Sequence, residues 1–167
     1  ISKKNFIFNF DQYSNVKKIN KSIEIVYGLR NLIGNANKFS KETVYIYLKS
    51  DSEITEIIIE DDGDGYPRDV LSKIGEPYLR SSEIDKKSKA GLGLGLFIGK
   101  TLLEKNFALL DFKNSETRNG AEVIVKWKNK DLFNIQWNFF FVSNNELNWD
   151  IITSPNSFTS VILIALS

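Results

Sequence analysis

The sequence predicts an α/β (α+β) two-layer sandwich with helices on one face of a mixed, mostly antiparallel sheet. Two segments with helical periodicity, and several short segments rich in alternating or β-branched residues, predict this fold class. A loop-rich centre, residues 61–91, lies between them and holds four of the ten glycines. The 167 residues, 42% of them hydrophobic, are enough to bury a core.

The individual elements follow from local patterns. Phe6, Phe8 and Phe10 fall on one side of a first strand. A polar turn at residues 50–52 predicts one hairpin, and Asn119-Gly120 predicts another. In chain order, the predicted segments are a strand at 6–10, a helix at 22–39, strands at 43–49 and 54–60, a helix at 92–105, and strands at 109–113 and 121–128.

The composition excludes several kinds of chemistry. The chain has no Cys and no His, which excludes disulfides, thiolate metal sites and imidazole catalysis. A net charge of +1, from 22 basic and 21 acidic residues, argues against a protein that mainly grips a nucleic-acid backbone. The longest apolar run, residues 161–166, is too short to span a bilayer. We therefore expect a cytoplasmic domain that makes no membrane contact itself.

A change in composition near residue 130 divides the chain into a domain of residues 1–130 and a tail of residues 131–167. The charged residues of the tail are all acidic, and the tail holds five of the twelve Phe and two of the three Trp. Its role stays open between an extra hairpin around residues 143–146, a cover for a sheet edge, a dimer contact, and an expression artefact such as read-through.

The predicted helix at residues 22–39 carries a polar stripe. At about 100° per residue, Asn31, Asn35 and Lys38 fall on one side of the helix and the apolar residues fall on the other. The apolar set is Ile25, Leu29, Leu32, Ile33 and Ala36. A stripe of this kind is usually a solvated face, although Asn is a poor residue for a helix interior. Two amide oxygens beside an ammonium group suit hydrated Mg²⁺ with phosphates next to it.

An acidic loop with two glycines, residues 61–65 (DDGDG), directly follows the predicted strand at 54–60. It does not match a calcium-binding loop, which needs a Glu further along the chain. The Asp61 carboxylate can accept a hydrogen bond from an exocyclic amine, while Gly63 and Gly65 let a flat ring approach the backbone. A plain turn is the alternative interpretation.

Three glycines at alternate positions open the second predicted helix, in residues 91–96 (GLGLGL). Accessible backbone N–H groups and the helix N-terminus favour an anion there. The string is neither a P-loop nor a dinucleotide-binding fingerprint. Residues 81–90 hold three lysines and three serines, and this composition directly before the glycines predicts a flexible lid over a nucleotide phosphate.

Together and in this order, the three segments resemble the N, G1 and G2 boxes of the ATP-binding domain of sensor histidine kinases, the HATPase_c domain of the Bergerat-fold group. Residues 31–39 (NLIGNANKF) match N-L-x-x-N-A-x-K-F, and residues 61–65 match D-x-G-x-G. Residues 75–78 (GEPY) lie where the F box lies, and residues 120–122 (GAE) resemble the segment with the last family glycine. The similarity covers roughly residues 5–128, and GEPY and GLGLGLFI most resemble the RegB/PrrB/ActS branch.

The resemblance implies a Bergerat-type ATP-binding fold and a role for each matching residue. It implies that Asn31 and Asn35 hold Mg²⁺, that Lys38 contacts phosphate, and that Asp61 binds the adenine amino group. The full ATP-binding set that it implies is Asn31, Asn35, Lys38, Phe39, Asp61, Gly63, Gly65, Gly91, Leu92, Gly93, Leu94, Gly95 and Leu96. It assigns no catalytic side chain with certainty.

The resemblance also implies a function: transfer of the ATP γ-phosphoryl group to a histidine on a separate dimerisation domain, with a response regulator downstream. We expect the chain to be an excised catalytic domain of a two-component kinase, which in full length can be membrane-anchored. Two alternatives are a self-sufficient Bergerat-fold ATPase and a non-catalytic nucleotide-sensing module. Asn31 disfavours the first, because ATPases of the group have a Glu there as general base.

Overall fold

The segments with alternating and β-branched residues form one sheet. We describe them from a computed structural model, which describes residues 4–10, 22–71, 73–76 and 94–132. The strands are β1 Asn5–Phe10, β2 Thr43–Ser50, β3 Ile54–Asp61, β4 Leu109–Asn114 and β5 Ala121–Lys128. Their order across the sheet is β1-β2-β3-β5-β4.

The sheet is mixed, as predicted. Strands β1 and β2 are parallel, with Asn5 opposite Thr43, and the remaining pairs are antiparallel. A parallel pair needs a crossover connection, and the first long helix lies between these two strands in the chain. The turn between β2 and β3 is fixed by Asp51, whose Oδ1 accepts hydrogen bonds from the backbone N–H groups of Glu53 and Ile54, both at 2.7 Å.

In the part of the chain that the structure describes, two long helices and two short ones accompany the sheet. They are α1 Ile23–Phe39, α2 Arg68–Leu71, α3 Leu94–Lys105 and α4 Asn129–Leu132. Ser22 caps α1, because its hydroxyl accepts a hydrogen bond from the N–H of Ile25 and Glu24 lies in the first turn. Among the described residues, no helix is long and apolar enough to cross a bilayer.

The core lies between the sheet and the layer formed by α1 and α3. Alternate residues of β2, β3 and β5 point into it and are buried, as the period of two requires. From α1, the five apolar residues predicted for the inner face are all buried: Ile25, Leu29, Leu32, Ile33 and Ala36. The stripe of Asn31, Asn35 and Lys38 is therefore left on the more exposed side of the helix.

The predicted fold class is confirmed, and the differences are local. The segment at 61–91 was expected to be mostly loop, and the structure places the short helix α2 in it, after Pro67. Helix α4 was not predicted. The expected lid at residues 81–90 and the expected tail hairpin lie outside the described residues, so both stay predictions.

Candidate functional site

The polar stripe of α1 presents an amide with a fixed orientation. The Asn31 side chain donates a hydrogen bond from its Nδ2 to the backbone carbonyl of Tyr27, at 2.8 Å. Because the NH₂ end is engaged, Oδ1 is the end of the amide that is available as an acceptor. Asn35 is half-buried, and its side chain forms no hydrogen bond with the described residues. Lys38 is exposed at the end of the same stripe.

The start of α3 lies directly against this stripe. A methyl group at Gly95 would lie 3.8 Å from Oδ1 of Asn31, and one at Gly99 would lie 3.2 Å from its Cβ. The two helices approach this closely because each has a glycine at the crossing, Gly28 on α1 and Gly99 on α3. The first N–H groups of a helix lack intrahelical acceptors and favour an anion. The stripe and the end of α3 therefore share one surface.

Asp61 ends β3 as a buried carboxylate, 2% exposed. Its Oδ1 accepts hydrogen bonds from the backbone N–H groups of Gly63, at 2.8 Å, and Ala121, at 3.1 Å. Its Oδ2 accepts none from the described residues. The carboxylate is thus held by one oxygen, and the other is available to a ligand's donor.

The electrostatics of Asp61 reflect this setting. Burial raises the pKa of Asp61, and the charges of Asp62 and Glu60 act in the same direction. The two backbone N–H groups oppose this effect because they stabilise the ionised form. A raised pKa at a carboxylate with one uncommitted oxygen is typical of functional sites.

The glycines predicted around Asp61 are required by close packing. A methyl group at Gly63 would lie 2.8 Å from Oδ1 of Asp61 and would overlap the carbonyl oxygen of Phe39. Gly65 has φ of +76°, which favours glycine, and a methyl group there would lie 2.8 Å from Oδ1 of Asn114. A methyl group at Gly120 would overlap the backbone carbonyl of Asp61. The loop therefore lies between the end of α1 and the turn that precedes β5.

Phe39 links α1 to this loop. Its carbonyl contacts Gly63 as described, the residue is 41% exposed, and the Lys38 ammonium lies 5.2 Å from the ring centroid. An exposed aromatic ring at the end of α1, next to the acidic loop, can contact the face of a flat ligand. Core packing does not explain a residue that is exposed to this extent.

Two residues that hold the acidic loop were missed by the sequence analysis. Asp62 accepts hydrogen bonds from the backbone N–H groups of Lys41, Glu42 and Thr43, at 2.8 to 3.2 Å, and so fixes the start of β2. Asn114 accepts from the N–H of Tyr66 at 2.6 Å and donates to its carbonyl at 3.0 Å. No local sequence pattern predicts either contact, because the partners of Asp62 lie about twenty residues away in the chain and the partner of Asn114 lies forty-eight residues away.

Not every predicted site residue can be placed. Gly91, Leu92 and Gly93 lie outside the described residues, as do Pro77 and Tyr78 of the segment at 75–78. Of the same glycine string, Leu94, Gly95 and Leu96 form the first turn of α3. Gly75 has φ of +89°, and a methyl group there would overlap the side chain of Lys100 on α3.

Helix α1 is the shared wall of the candidate site. Asn31 meets the start of α3, and Phe39 meets the loop after Asp61, about 12 Å further along the helix axis. A ligand that uses both ends must be extended, with an anionic part near α3 and a flat part that carries an amine near Asp61. A nucleoside triphosphate with an adenine base has this form.

The residues present fit Mg²⁺ as a partner of such a ligand. The ion prefers oxygen ligands and usually binds through one or two protein groups together with substrate phosphates and water. Asn31 offers an amide oxygen whose nitrogen is already engaged, and Asn35 lies one turn further on the same side. The described residues contain no cluster of acidic side chains that would hold a metal ion alone.

Comparisons with known proteins identify a family for this chain. Residues 20–131 match the family described as histidine kinase-, DNA gyrase B-, and HSP90-like ATPase, HATPase_c. The chain is 42% identical over 119 residues to "Sensor histidine kinase RegB" of Cereibacter sphaeroides, an alignment that covers 62% of this chain and 26% of the relative. It is 34% identical over 100 residues to "Sensor protein kinase PilS" of Pseudomonas aeruginosa, covering 56% of this chain and 18% of the relative.

Solved structures give the same fold. A mycobacterial sensor histidine kinase, MprB, superposes with a TM-score of 0.63 at 24% identity, covering 74% of this chain and 82% of that one. The catalytic domain of histidine kinase ThkA superposes with a TM-score of 0.61 at 22% identity, covering 75% and 80%. At these identities the likeness shows the fold alone.

The curated relatives extend well beyond the matched region, since the chain spans about a quarter of the length of RegB. The similarity at 42% identity supports the RegB/PrrB branch that the glycine strings indicated. The family match covers the predicted N, G1 and G2 boxes together and most of the described sheet. The chain therefore belongs to the HATPase_c family, and it is the ATP-binding domain in the form found in sensor histidine kinases.

Proposed function

We propose that this domain binds ATP with Mg²⁺ and transfers the γ-phosphoryl group to a histidine on a separate dimerisation domain. The observation that carries the proposal is Asn31, an amide placed where the polar stripe of α1 meets the start of α3. An amide can complete a metal site, but it cannot take a proton from water at neutral pH. This position therefore supports a donor of phosphoryl groups over an enzyme that activates water.

The two ends of the candidate site have separate roles in this proposal. At the base end, Oδ2 of Asp61 accepts a hydrogen bond from the adenine amino group. Gly63 and Gly65 let the adenine ring approach the backbone, and Phe39 contacts the face of that ring. At the phosphate end, the N–H groups at the start of α3 bind the triphosphate. Lys38, whose ammonium lies 5.2 Å from the Phe39 ring centroid, would contact the phosphates nearer the base, as the resemblance implies. The glycines and leucines at residues 91–96 complete that end as the resemblance implies.

Asn31 and Asn35 would hold the magnesium ion. When bound, the ion neutralises charge on the phosphate oxygens and helps to fix the triphosphate. The side-chain oxygen of Asn31 is oriented for this role by the hydrogen bond from its own amide to Tyr27. The cation of Lys38, on the same stripe, adds positive charge near the phosphates.

In phosphoryl transfer such a domain mainly positions the reactants and stabilises the charge on the transferred phosphoryl group. The bond from the γ-phosphorus to its bridging oxygen breaks, a bond to an imidazole nitrogen forms, and ADP leaves. The sequence of 167 residues contains no His, so the acceptor lies on another polypeptide segment. A response regulator would in turn receive the group from that histidine, and the cytoplasm is the compartment that this chemistry favours.

Two alternatives predict different products. A self-sufficient ATPase of the same family would release phosphate continuously, and Asn31 argues against it. A non-catalytic sensor would bind nucleotide without transferring phosphate. The available Oδ2 of Asp61 and the oriented amide of Asn31 favour a catalytically competent site over a non-catalytic sensor.

The test supplies the missing acceptor. The chain is incubated with γ-labelled ATP, Mg²⁺ and a dimerising helix pair with its histidine from a related kinase, in trans or fused. We expect labelled phosphoprotein that is stable in base and labile in acid, and no label when the acceptor histidine is replaced. Rapid steady-state release of phosphate by the chain alone would contradict the proposal and favour the ATPase.

A further inference from the structure

The outer face of the sheet carries a buried carboxylate that the proposed site does not use. Glu60 directly precedes Asp61 in β3, points to the opposite face and is 5% exposed. A buried carboxylate needs partners, because an uncompensated charge away from water is costly. Among the described residues, the three side chains that bond to the Glu60 carboxylate all lie in the turn at residues 115–120.

The contacts of Glu60 divide between its two oxygens. Oε1 accepts hydrogen bonds from the hydroxyl groups of Ser115 and Thr117, the latter at 3.3 Å. Oε2 accepts from Nε of Arg118 at 3.1 Å. Ser115 also folds the turn, because its Oγ accepts from the backbone N–H groups of Thr117 and Arg118 at 3.2 and 3.0 Å. A single carboxylate therefore holds three side chains of this turn.

Arg118 is in turn held by the neighbouring strand β2. Its NH2 donates to the Tyr47 hydroxyl at 3.0 Å, and its guanidinium carbon lies 3.7 Å from the ring centroid of Tyr45. A planar guanidinium suits this combination of stacking and hydrogen bonding, which an ammonium group does not reproduce. Arg118 therefore fixes the turn to β2 as well as to β3.

The same turn ends at the carboxylate of the candidate site. The turn closes with a hydrogen bond from the N–H of Ser115 to the carbonyl of Gly120, at 2.8 Å. Gly120 packs on the backbone of Asp61, and the next N–H, that of Ala121, donates to Oδ1 of Asp61 at 3.1 Å. A displacement of the turn would change the position of Asp61 and remove one of the two hydrogen bonds that hold Oδ1.

We propose that the Glu60–Arg118 pair is a positioning device for adenine recognition, which acts from the outer face of the sheet by holding the Ser115–Gly120 turn against Asp61. The inference rests on the proposed function, since it concerns the base end of the same site. Neither residue touches the ligand. Their effect passes through Gly120 and Ala121 to the Oδ2 atom that would accept the adenine amine.

The test measures ATP and GTP binding by isothermal titration for Arg118→Met, Arg118→Lys and the control Lys126→Met. Lys126 pairs with Glu56 at 2.7 Å on the same sheet face, and among the described residues no hydrogen bond or ion pair is seen between this pair and the Ser115–Gly120 turn. We expect Arg118→Met to weaken ATP binding about five- to tenfold, less than the complete loss of one hydrogen bond to a charged group because Gly63 still donates to Oδ1, and to reduce the preference for ATP over GTP. Arg118→Lys should recover part of the loss, and the control should bind like the wild type.

A second readout separates positioning from general destabilisation. The titratable groups around Asp61 are Asp62, Glu60 and Tyr66, and Arg118 compensates the charge of Glu60. In Arg118→Met the affinity for ATP should begin to fall at a higher pH than in the wild type. The negative charge of Glu60 is then no longer compensated by Arg118, and this charge favours the protonated form of Asp61. In Glu60→Gln it should begin to fall at a lower pH, because that negative charge is gone.

The outcomes are distinct from those that test the proposed function. If the wild type binds no ATP, the proposed function is wrong. If the wild type binds ATP and Arg118→Met keeps its affinity, its preference for ATP and its pH profile, the positioning role is wrong. If Arg118→Met does not fold, Arg118→Lys and Glu60→Gln decide by the same measurements, and unchanged profiles in both would overturn the inference.

Discussion

At the scale of single residues, Asp61 and Asp62 are adjacent acids with different tasks. Both carboxylate oxygens of Asp62 accept hydrogen bonds from backbone N–H groups at the start of β2. In Asp61 only Oδ1 accepts hydrogen bonds from the described residues, which leaves Oδ2 available to a ligand. Their pKa values shift in opposite directions. Burial raises the pKa of Asp61, while the N–H groups of Glu42, Thr43 and Lys41 outweigh the effect of burial on Asp62 and lower its pKa. The neighbouring side chains thus separate a binding role from a structural one.

Replacing Asp61 with Asn tests the binding role. An amide in this position no longer offers a charged acceptor, and its NH₂ group opposes the adenine amine when it points into the site. We expect ATP binding to weaken about tenfold or more, since a hydrogen bond to a charged group contributes about 1.5–3 kcal/mol. Isothermal titration measures the change. Asp62→Asn is the matched control and should lower the free energy of unfolding while leaving the preference for ATP over GTP in place.

The pH dependence of ATP binding follows from the raised pKa of Asp61. Between the ordinary value of 3.8 and the raised pKa, folded Asp61 holds more protons than the unfolded chain, so its contribution to the free energy of unfolding falls as pH rises. ATP affinity should change in the opposite direction and fall as pH decreases through the raised pKa. Titrations at several pH values test this, and an affinity independent of pH down to 3.8 would count against Asp61 as the acceptor.

Asn35 provides a test of the metal site. Asn35→Ala removes an amide oxygen from the polar stripe without touching the base end. We expect it to weaken the binding of ATP with Mg²⁺ more than the binding of ADP without metal. Titrations with both ligands compare the two losses. Equal losses would mean that Asn35 supports the helix and not the ion.

At the scale of elements, the crossing of α1 and α3 sets the distance between the polar stripe and the start of α3. A methyl group at Gly28 would lie 2.6 Å from Cγ of Leu103 and 3.3 Å from the carbonyl oxygen of Gly99. Since α3 begins at the candidate phosphate end, its displacement by overpacking would also change the surface that it shares with Asn31. The glycines at this crossing therefore serve both the core and the site.

Two alanine substitutions within α1 should have effects of opposite sign. Gly28→Ala should destabilise the fold by about 1–3 kcal/mol through overpacking. Gly34→Ala meets no atom within 4 Å and should stabilise the fold by roughly 0.5–1 kcal/mol, because alanine favours the helix. Urea unfolding measures both. A loss of stability in Gly34→Ala similar to that in Gly28→Ala would contradict the described packing.

Local patterns predicted the two long helices, all five strands and the polar stripe, because burial on one face imposes its period on each segment. They did not predict the contacts between segments. The pair Glu60–Arg118 and the pair Asn114–Tyr66 join residues far apart in the chain. The sequence around one residue of a pair therefore does not identify its partner. One signal was available: Glu60 is an acid that ends an otherwise apolar run just before Asp61, and a carboxylate there needs a partner.

At the scale of the whole molecule, one helix connects the parts of the site. The inner face of α1 supplies the core, and its outer side meets α3 at Asn31 and the acidic loop at Phe39. The sheet holds Asp61 from behind through the turn before β5. A ligand that joins the two ends should therefore stabilise the whole domain, because only the folded chain brings them together.

The most direct test of ATP binding is isothermal titration of the wild-type chain with ATP and Mg²⁺, followed by a thermal melt of the same mixture. We expect saturable binding of one nucleotide per chain, weaker binding of GTP, and a melting temperature that rises with ATP concentration. No heat and no rise in melting temperature at millimolar ATP, from a chain that is shown to be folded, would contradict this expectation.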